Sequence, residues 1–189
     1  MKQSEPAQRG SGLSPTDPSL IATPLEFISE DHLRERQICA VIDGLAAAAS
    51  FDRRAAQAVL RFLNEELNVH MRDEAEDLFP LLAQRCQAED EIGRVITRIR
   101  SDLDDATGLL PVIRTILARC LDTGSDLAAE DRKSLIRFAG LVRRHLAAEN
   151  AILLPIARVR LTKRDLQILS VRMRSRRGLP PDAEAPDAA

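Results

Sequence analysis

The chain of 189 residues holds three histidines, His32, His70 and His145. Two of them are followed four residues later by a glutamate, in HMRDE (His70, Glu74) and HLAAE (His145, Glu149). Positions i and i+4 of a helix point the same way, so each pair aims an imidazole nitrogen and a carboxylate oxygen at one space. Alone, such a pair is most often a surface ion pair worth about 0.3–0.5 kcal/mol. The neighbouring residues argue for burial instead. His32 falls in the apolar stripe Leu25, Ile28, His32, Cys39, Ile42. His70 and Glu74 interrupt Val59, Leu63, Glu66, Asp77 and Leu81, and His145 and Glu149 lie within Phe138, Leu141, Val142, Ile152, Leu153 and Ile156. With a stripe covering about 40% of a helix, chance puts all three histidines on stripes roughly 6% of the time. A carboxylate buried without a partner costs several kcal/mol. A bound cation removes that cost, and a mixed imidazole and carboxylate donor set suits iron, zinc, manganese or copper better than calcium or magnesium. The sequence therefore predicts a metal site on His32, His70, Glu74, His145 and Glu149. Glu66 and Asp77 share the His70 face and are read as solvated or outer carboxylates.

These stripes need helices to carry them. Thr23-Pro24-Leu25-Glu26 reads as a helix start in which Thr caps, Pro takes the first position and Glu returns to the cap. This first helix is expected to reach about Ala49, and Ser50 to cap a second running to about Arg85, bent near its end by Pro80. A third is expected over about 88–121, kinked at Gly108 and Pro111, and a fourth over about 127–158 after the turn Thr123-Gly124-Ser125-Asp126. Thr162-Lys163-Arg164-Asp165 is a second capping box, opening a fifth helix to about Arg177. Main helices of about 25–35 residues are roughly 37–50 Å long. Short connections between them favour an all-α fold, an antiparallel up-down four-helix bundle with a short C-terminal fifth helix. The expected organisation is a flexible tail over 1–22, the bundle over 23–158, a basic amphipathic helix over 159–177 and a second tail over 178–189.

Composition bounds the function. With 44% hydrophobic and 30% charged residues the chain suits a soluble body, and a net charge of −2 gives no bias toward nucleic acid. No run of 18 apolar residues exists, and the opening residues lack the apolar core of a signal peptide, so a cytoplasmic protein without a membrane partner is expected. Cys39, Cys86 and Cys120 lie far apart with no C-x-x-C pair and are read as small buried hydrophobes in a reducing compartment. Residues 158–177 hold eight Arg or Lys against one Asp, with Leu166, Leu169 and Met173 on one face. Packing of that face on the bundle is favoured over docking on an acidic protein partner, nucleic acid or a membrane surface, and without aromatic residues base stacking is unsupported.

The order EDHLRERQ, HMRDEAEDLFPLL, HLAAENAILLP resembles the hemerythrin-like, HHE cation-binding family over about residues 24–158. Both H-x-x-x-E pairs precede a Phe-Pro or Leu-Pro helix end. The resemblance implies an up-down bundle around a carboxylate-bridged di-iron centre. His32 and His70 would bind one iron, His145 the other, and Glu74 and Glu149 would bridge them. The family's further histidine from the third helix is missing. Its stripe reads Ile92, Val95, Ile99, Leu103, Ala106, Leu110, with Leu103 in the histidine's place. Asp102, about 100° around the helix, is a candidate to complete the second position, and Asp105 a further one. The implied cofactor is iron, as a pair, with a single metal or zinc as the other readings. The implied function is binding or sensing of oxygen, nitric oxide, or redox or iron state. The alternatives are a metal-dependent enzyme consuming peroxide or nitric oxide, and an interaction module with a degenerate metal site. Ferritin-like Glu-x-x-His and protease H-E-x-x-H spacings are absent.

Overall fold

The computed structural model describes residues 14–180, which are helical throughout their ordered elements and contain no strand. Helix α1 covers Pro24–Ala47. A second rod is built from α2 (Arg53–Glu65), α3 (Leu67–Arg72), a wide turn at Asp73–Leu78 and α4 (Phe79–Arg85). Helix α5 runs unbroken over Ile92–Thr123, with Pro111 inside it. A fourth rod joins α6 (Ala129–Ala148), a wide turn at Glu149–Leu153 and α7 (Leu154–Arg160). Helix α8 spans Lys163–Arg176.

Several boundaries differ from those expected. Residues 18–22, expected as tail, form a 3₁₀ turn capped by Asp17, and the turn buries Ile21. That turn competes for Thr23, whose hydroxyl donates to the Leu20 carbonyl instead of capping α1. Asp52, not Ser50, caps α2 by accepting from the Ala55 amide. At the other end Gly178, with φ 65°, closes α8: its amide donates to Ser175 and the Leu179 amide donates to Arg174. That closure lays Leu179 on the core, so residues 178–180 are not free tail. The rest of both expected tails lies outside the described residues.

Both wide turns have one cause. The Phe79 amide donates to the Glu74 carbonyl and the Leu154 amide to the Glu149 carbonyl, five residues back. Pro80 and Pro155 come next. A proline has no N–H to give the carbonyl four residues before it, and its ring presses on that carbonyl. One extra residue in the turn relieves the pressure. It also turns every later side chain by about 100°. The fourth rod therefore buries Leu153, Leu154 and Ala157, while Ile152, expected inside, is 44% exposed.

The apolar side chains form two separate cores. One gathers Ile38–Ala46 of α1 with residues of α2, α5 and α6; the other gathers Leu25–Ile28 with residues of α4, α5, α7 and α8. Helix α1 packs on α2 and α6, and α5 closes the ring by packing on both. Every rod passes from one core to the other; the first, second and fourth carry polar residues inward at the crossing, and α5 carries Leu103.

Helix α8 seals the second core with Leu169 and Met173, and its N-terminus is set by a complete capping box between Thr162 and Asp165. Asp165 also receives Arg85 through two nitrogens, at 2.8 and 2.9 Å. The Arg85 hydrogen bonds hold its carboxyl below the usual carboxylate range, against the upward push of burial. Asp165→Ala is expected to lower the unfolding free energy by about 1–2 kcal/mol in urea titrations at neutral pH. A depressed carboxyl stabilises the fold above its unfolded value and loses that contribution as pH falls. The gap between wild type and variant should therefore close as pH drops from about 5 toward 2.

Candidate metal centre

The crossing layer between the two cores holds Asp31, His32 and Glu35 from α1, His70 from α3, Glu74 from the first wide turn, His145 from α6 and Glu149 from the second. All are buried, Glu74 and Glu149 completely. All five side chains expected as ligands thus meet. His32 Nε2 lies 3.3 Å from a carboxylate oxygen of both Glu74 and Glu149. His70 Nε2 lies 3.2 Å from Glu74, and His145 Nε2 lies 3.2 Å from Glu149 and 3.5 Å from Glu74. The His32 and His70 rings meet edge to face with centroids 5.1 Å apart. Donor atoms of His32, His70, Glu74 and Glu149 all fall within 4.8 Å of one another.

Those separations fit a shared cation better than hydrogen bonding. A charged N–H···O bond is usually 2.7–2.9 Å long. Two donors each about 2.1 Å from one ion, at about 100°, stand about 3.2 Å apart. Both oxygens of Glu149, Oε2 of Glu74 and Nε2 of His70 are buried without a hydrogen bond. Atoms of this kind, aimed inward at each other, are what a metal ion satisfies.

Electrostatics says the same. Burial alone pushes the His145 imidazole down, but Glu149 and Glu74 outweigh it and raise the value to about 11. His70 is likewise held well above its ordinary range, by Glu35 and Glu74 against burial. Burial raises Glu35 to about 7 and raises Glu149, whereas Glu74 is driven well below the usual range because the imidazoles, His70 foremost, outweigh its burial. Without a cation the cluster keeps protons on its imidazoles to offset its carboxylates.

Asp31 and Glu35 were not expected from the sequence. Asp31 Oδ2 stands 2.9 Å from His70 Nδ1 while Oδ1 accepts the Thr16 hydroxyl at 2.6 Å. That charge pairing on the Nδ1 side leaves Nε2 facing the other donors. Glu35 Oε1 stands 3.2 Å from that Nε2. The α1 stripe had carried the signal: its gap of seven between His32 and Cys39 is filled by Glu35 at helical spacing.

Other expectations need correction. Asp102 is buried but turns to Arg98, 3.4 Å away, and joins no donor cluster; Asp105 is exposed. The reason is rotational, since Leu103, with Ala106, Thr107 and Leu110, lines the small cavity beside Glu35, His70 and His145, and Asp102 does not. Asp77 is not solvated. It is buried and receives Arg172 at 2.6 Å, with Arg176 also bonded to it. Glu66 is half-buried and takes two bonds of 2.7 Å from Arg34. Cys39 and Cys120 are buried, as expected, but Cys86 is only half-buried. Burial pushes the Cys39 thiol up to about 12.

The basic helix has a role at this site. Arg176 reaches Asp73 at 2.5 Å, and Arg177 reaches the same carboxylate at 2.7 Å. With the Asp77 contacts, α8 grips the wide turn on either side of Glu74. Those acids supply inside the chain what an acidic partner would offer from outside.

Fold and site together define a class: helical-bundle proteins that carry a buried histidine–carboxylate cluster at mid-height. The hemerythrin HHE cation binding domain matches residues 23–157, and the chain belongs to that family. No curated protein compared with it matches.

Two outcomes follow from the geometry. Arg176→Ala leaves Asp73 and Asp77 short of positive charge in the interior and should cost about 3 kcal/mol, read from the urea midpoint of the metal-free protein. Glu35 and His145 are both raised, so each favours the fold most fully below its unfolded value and loses that contribution as pH climbs. The melting temperature of metal-free protein should fall between about pH 6 and pH 10; a flat profile would contradict a cluster balanced by imidazolium charge.

Proposed function

We propose that His32, His70, Glu74, His145 and Glu149 hold non-haem iron, as a pair bridged by the two glutamates, and that the protein binds or senses a small diatomic ligand or the redox state. The observation that carries this is the wholly buried Glu74–Glu149 pair, with three imidazole nitrogens 3.2–3.5 Å away. Membership of a cation-binding family supports it. Charge supports two ions rather than one. Ionised, Asp31, Glu35, Glu74 and Glu149 carry −4, and two divalent cations supply +4. Bound iron would supply redox chemistry and open positions for an exogenous ligand.

The chain's own residues set what can reach it. The cavity beside His70 and His145 measures about 10 Å³, room for one water-sized occupant, and its wall is completed by Glu35, Thr107 and a set of apolar side chains that includes Leu67, Leu103, Ala106 and Phe138. A chamber that small favours a small ligand over an organic substrate. Leu103, standing where an imidazole would close the coordination, keeps one side apolar. Asp31 holds His70 by Nδ1 and Arg176 steadies the turn beneath Glu74. The alternating order in which the rods cross the two cores supports an antiparallel up-down bundle. Three unpaired cysteines suit a reducing, cytoplasmic setting. No helix among the described residues is long and apolar enough to cross a membrane.

Protein purified without chelators should carry about two irons per chain by mass spectrometry, and His70→Ala clearly fewer. Equal metal in both would remove His70 from the ligand set. The chain has no Trp or Tyr, so charge-transfer absorption in the near ultraviolet should stand clear of protein absorbance after iron loading. Each imidazole must give up a proton to bind metal. Loading in weak buffer should therefore release protons, with affinity rising as pH rises.

A further inference from the structure

The donor set expected from the family leaves one position short, because α5 offers Leu103, Ala106 and Leu110 where an imidazole would project. The structure places a different group next to that gap. Glu35, on the inward face of α1 one turn beyond His32, is 2% exposed, and its Oε1 receives no hydrogen bond. That oxygen lies 3.2 Å from His70 Nε2, the nitrogen that also stands 3.2 Å from Glu74. It thus shows the donor-to-donor spacing seen among the other members of the cluster. Glu35 also lines the small cavity that His70, His145 and Leu103 line.

We propose that Glu35 is a direct ligand of the metal centre, giving Oε1 to the ion that His70 and Glu74 bind and supplying from α1 the donor that α5 lacks. Asp31 is the competing carboxylate, grouped with Glu35 and His70. Its oxygens are engaged elsewhere, one by the Thr16 hydroxyl and the other at His70 Nδ1, on the outer side of the ring. Asp31 positions the histidine; Glu35 faces the ion. The exchange of an imidazole for a carboxylate adds a negative, harder oxygen donor. It biases the centre toward the more oxidised ion and toward oxygen-loving metals.

This assignment rests on the metal reading of the cluster, and the test separates the two. Wild type and Glu35→Gln, an isosteric neutral change, are loaded anaerobically with ferrous iron. Affinity is measured by competition with a chelator, and the donor set by Mössbauer and X-ray absorption spectroscopy. Glu35→Gln should keep its helical circular dichroism and lose iron affinity by at least about tenfold, with a changed signal for one iron. Glu35→Asp, which keeps the charge but shortens the reach, should fall between the two and serves if the amide variant fails to fold. Unchanged affinity and spectra in the variants would overturn the role of Glu35 while leaving the centre standing. A wild type that binds no iron would overturn the centre and this assignment with it.

Discussion

Two apolar cores stacked end to end are separated by one layer of charge, and the whole molecule is arranged around the cost of that layer. Four carboxylates and three imidazoles occupy it, almost without solvent contact. A lone buried carboxylate costs several kcal/mol, so the layer persists only if positive charge is delivered to it. Imidazolium protons can do so in the metal-free chain, and a cation does so without them. The same need explains the surrounding shell. Asp73 and Asp77, on either side of Glu74, are met by arginines at the C-terminal end of α8.

The two wide turns link that charge layer to the fold. Glu74 and Glu149 each lie in a wide turn, six residues before a proline and four residues after a histidine. The proline forces the extra residue, and the extra residue re-aims everything beyond it toward the second core. The two halves of the bundle thus solve the same problem with the same local device. They deliver a His–Glu pair to the layer and then restore apolar packing below it.

Helix α8 illustrates how a surface-looking segment becomes structural. The eight-to-one excess of basic residues over 158–177 suggested an external partner. In the folded chain its apolar face closes the second core. Arg172, Arg176 and Arg177 are bound to acids on the second rod. Removal of α8 would expose apolar surface and uncompensate buried acids beside Glu74 at once, so the helix and the charge layer are energetically one unit.

The sequence by itself determined the helices, their approximate ends and the faces on which His32, His70, Glu74, His145 and Glu149 lie. It could do so because helical periodicity is a local property, written in spacings of three and four. Only the tertiary structure decided how those faces meet. Periodicity reports a direction, not what waits there, so Asp102, about 100° around the helix from the stripe, stood as a candidate until its pairing with Arg98 was seen. Glu35 sat on the α1 stripe as an apparent gap, and Asp77 passed for a solvated acid, because their partners lie 35 and 95 residues away. The register change at Glu149 likewise moved Ile152 outward. Depth, pairing across long sequence separations and the extra residue in a turn are set by packing, and packing is a property of the assembled chain.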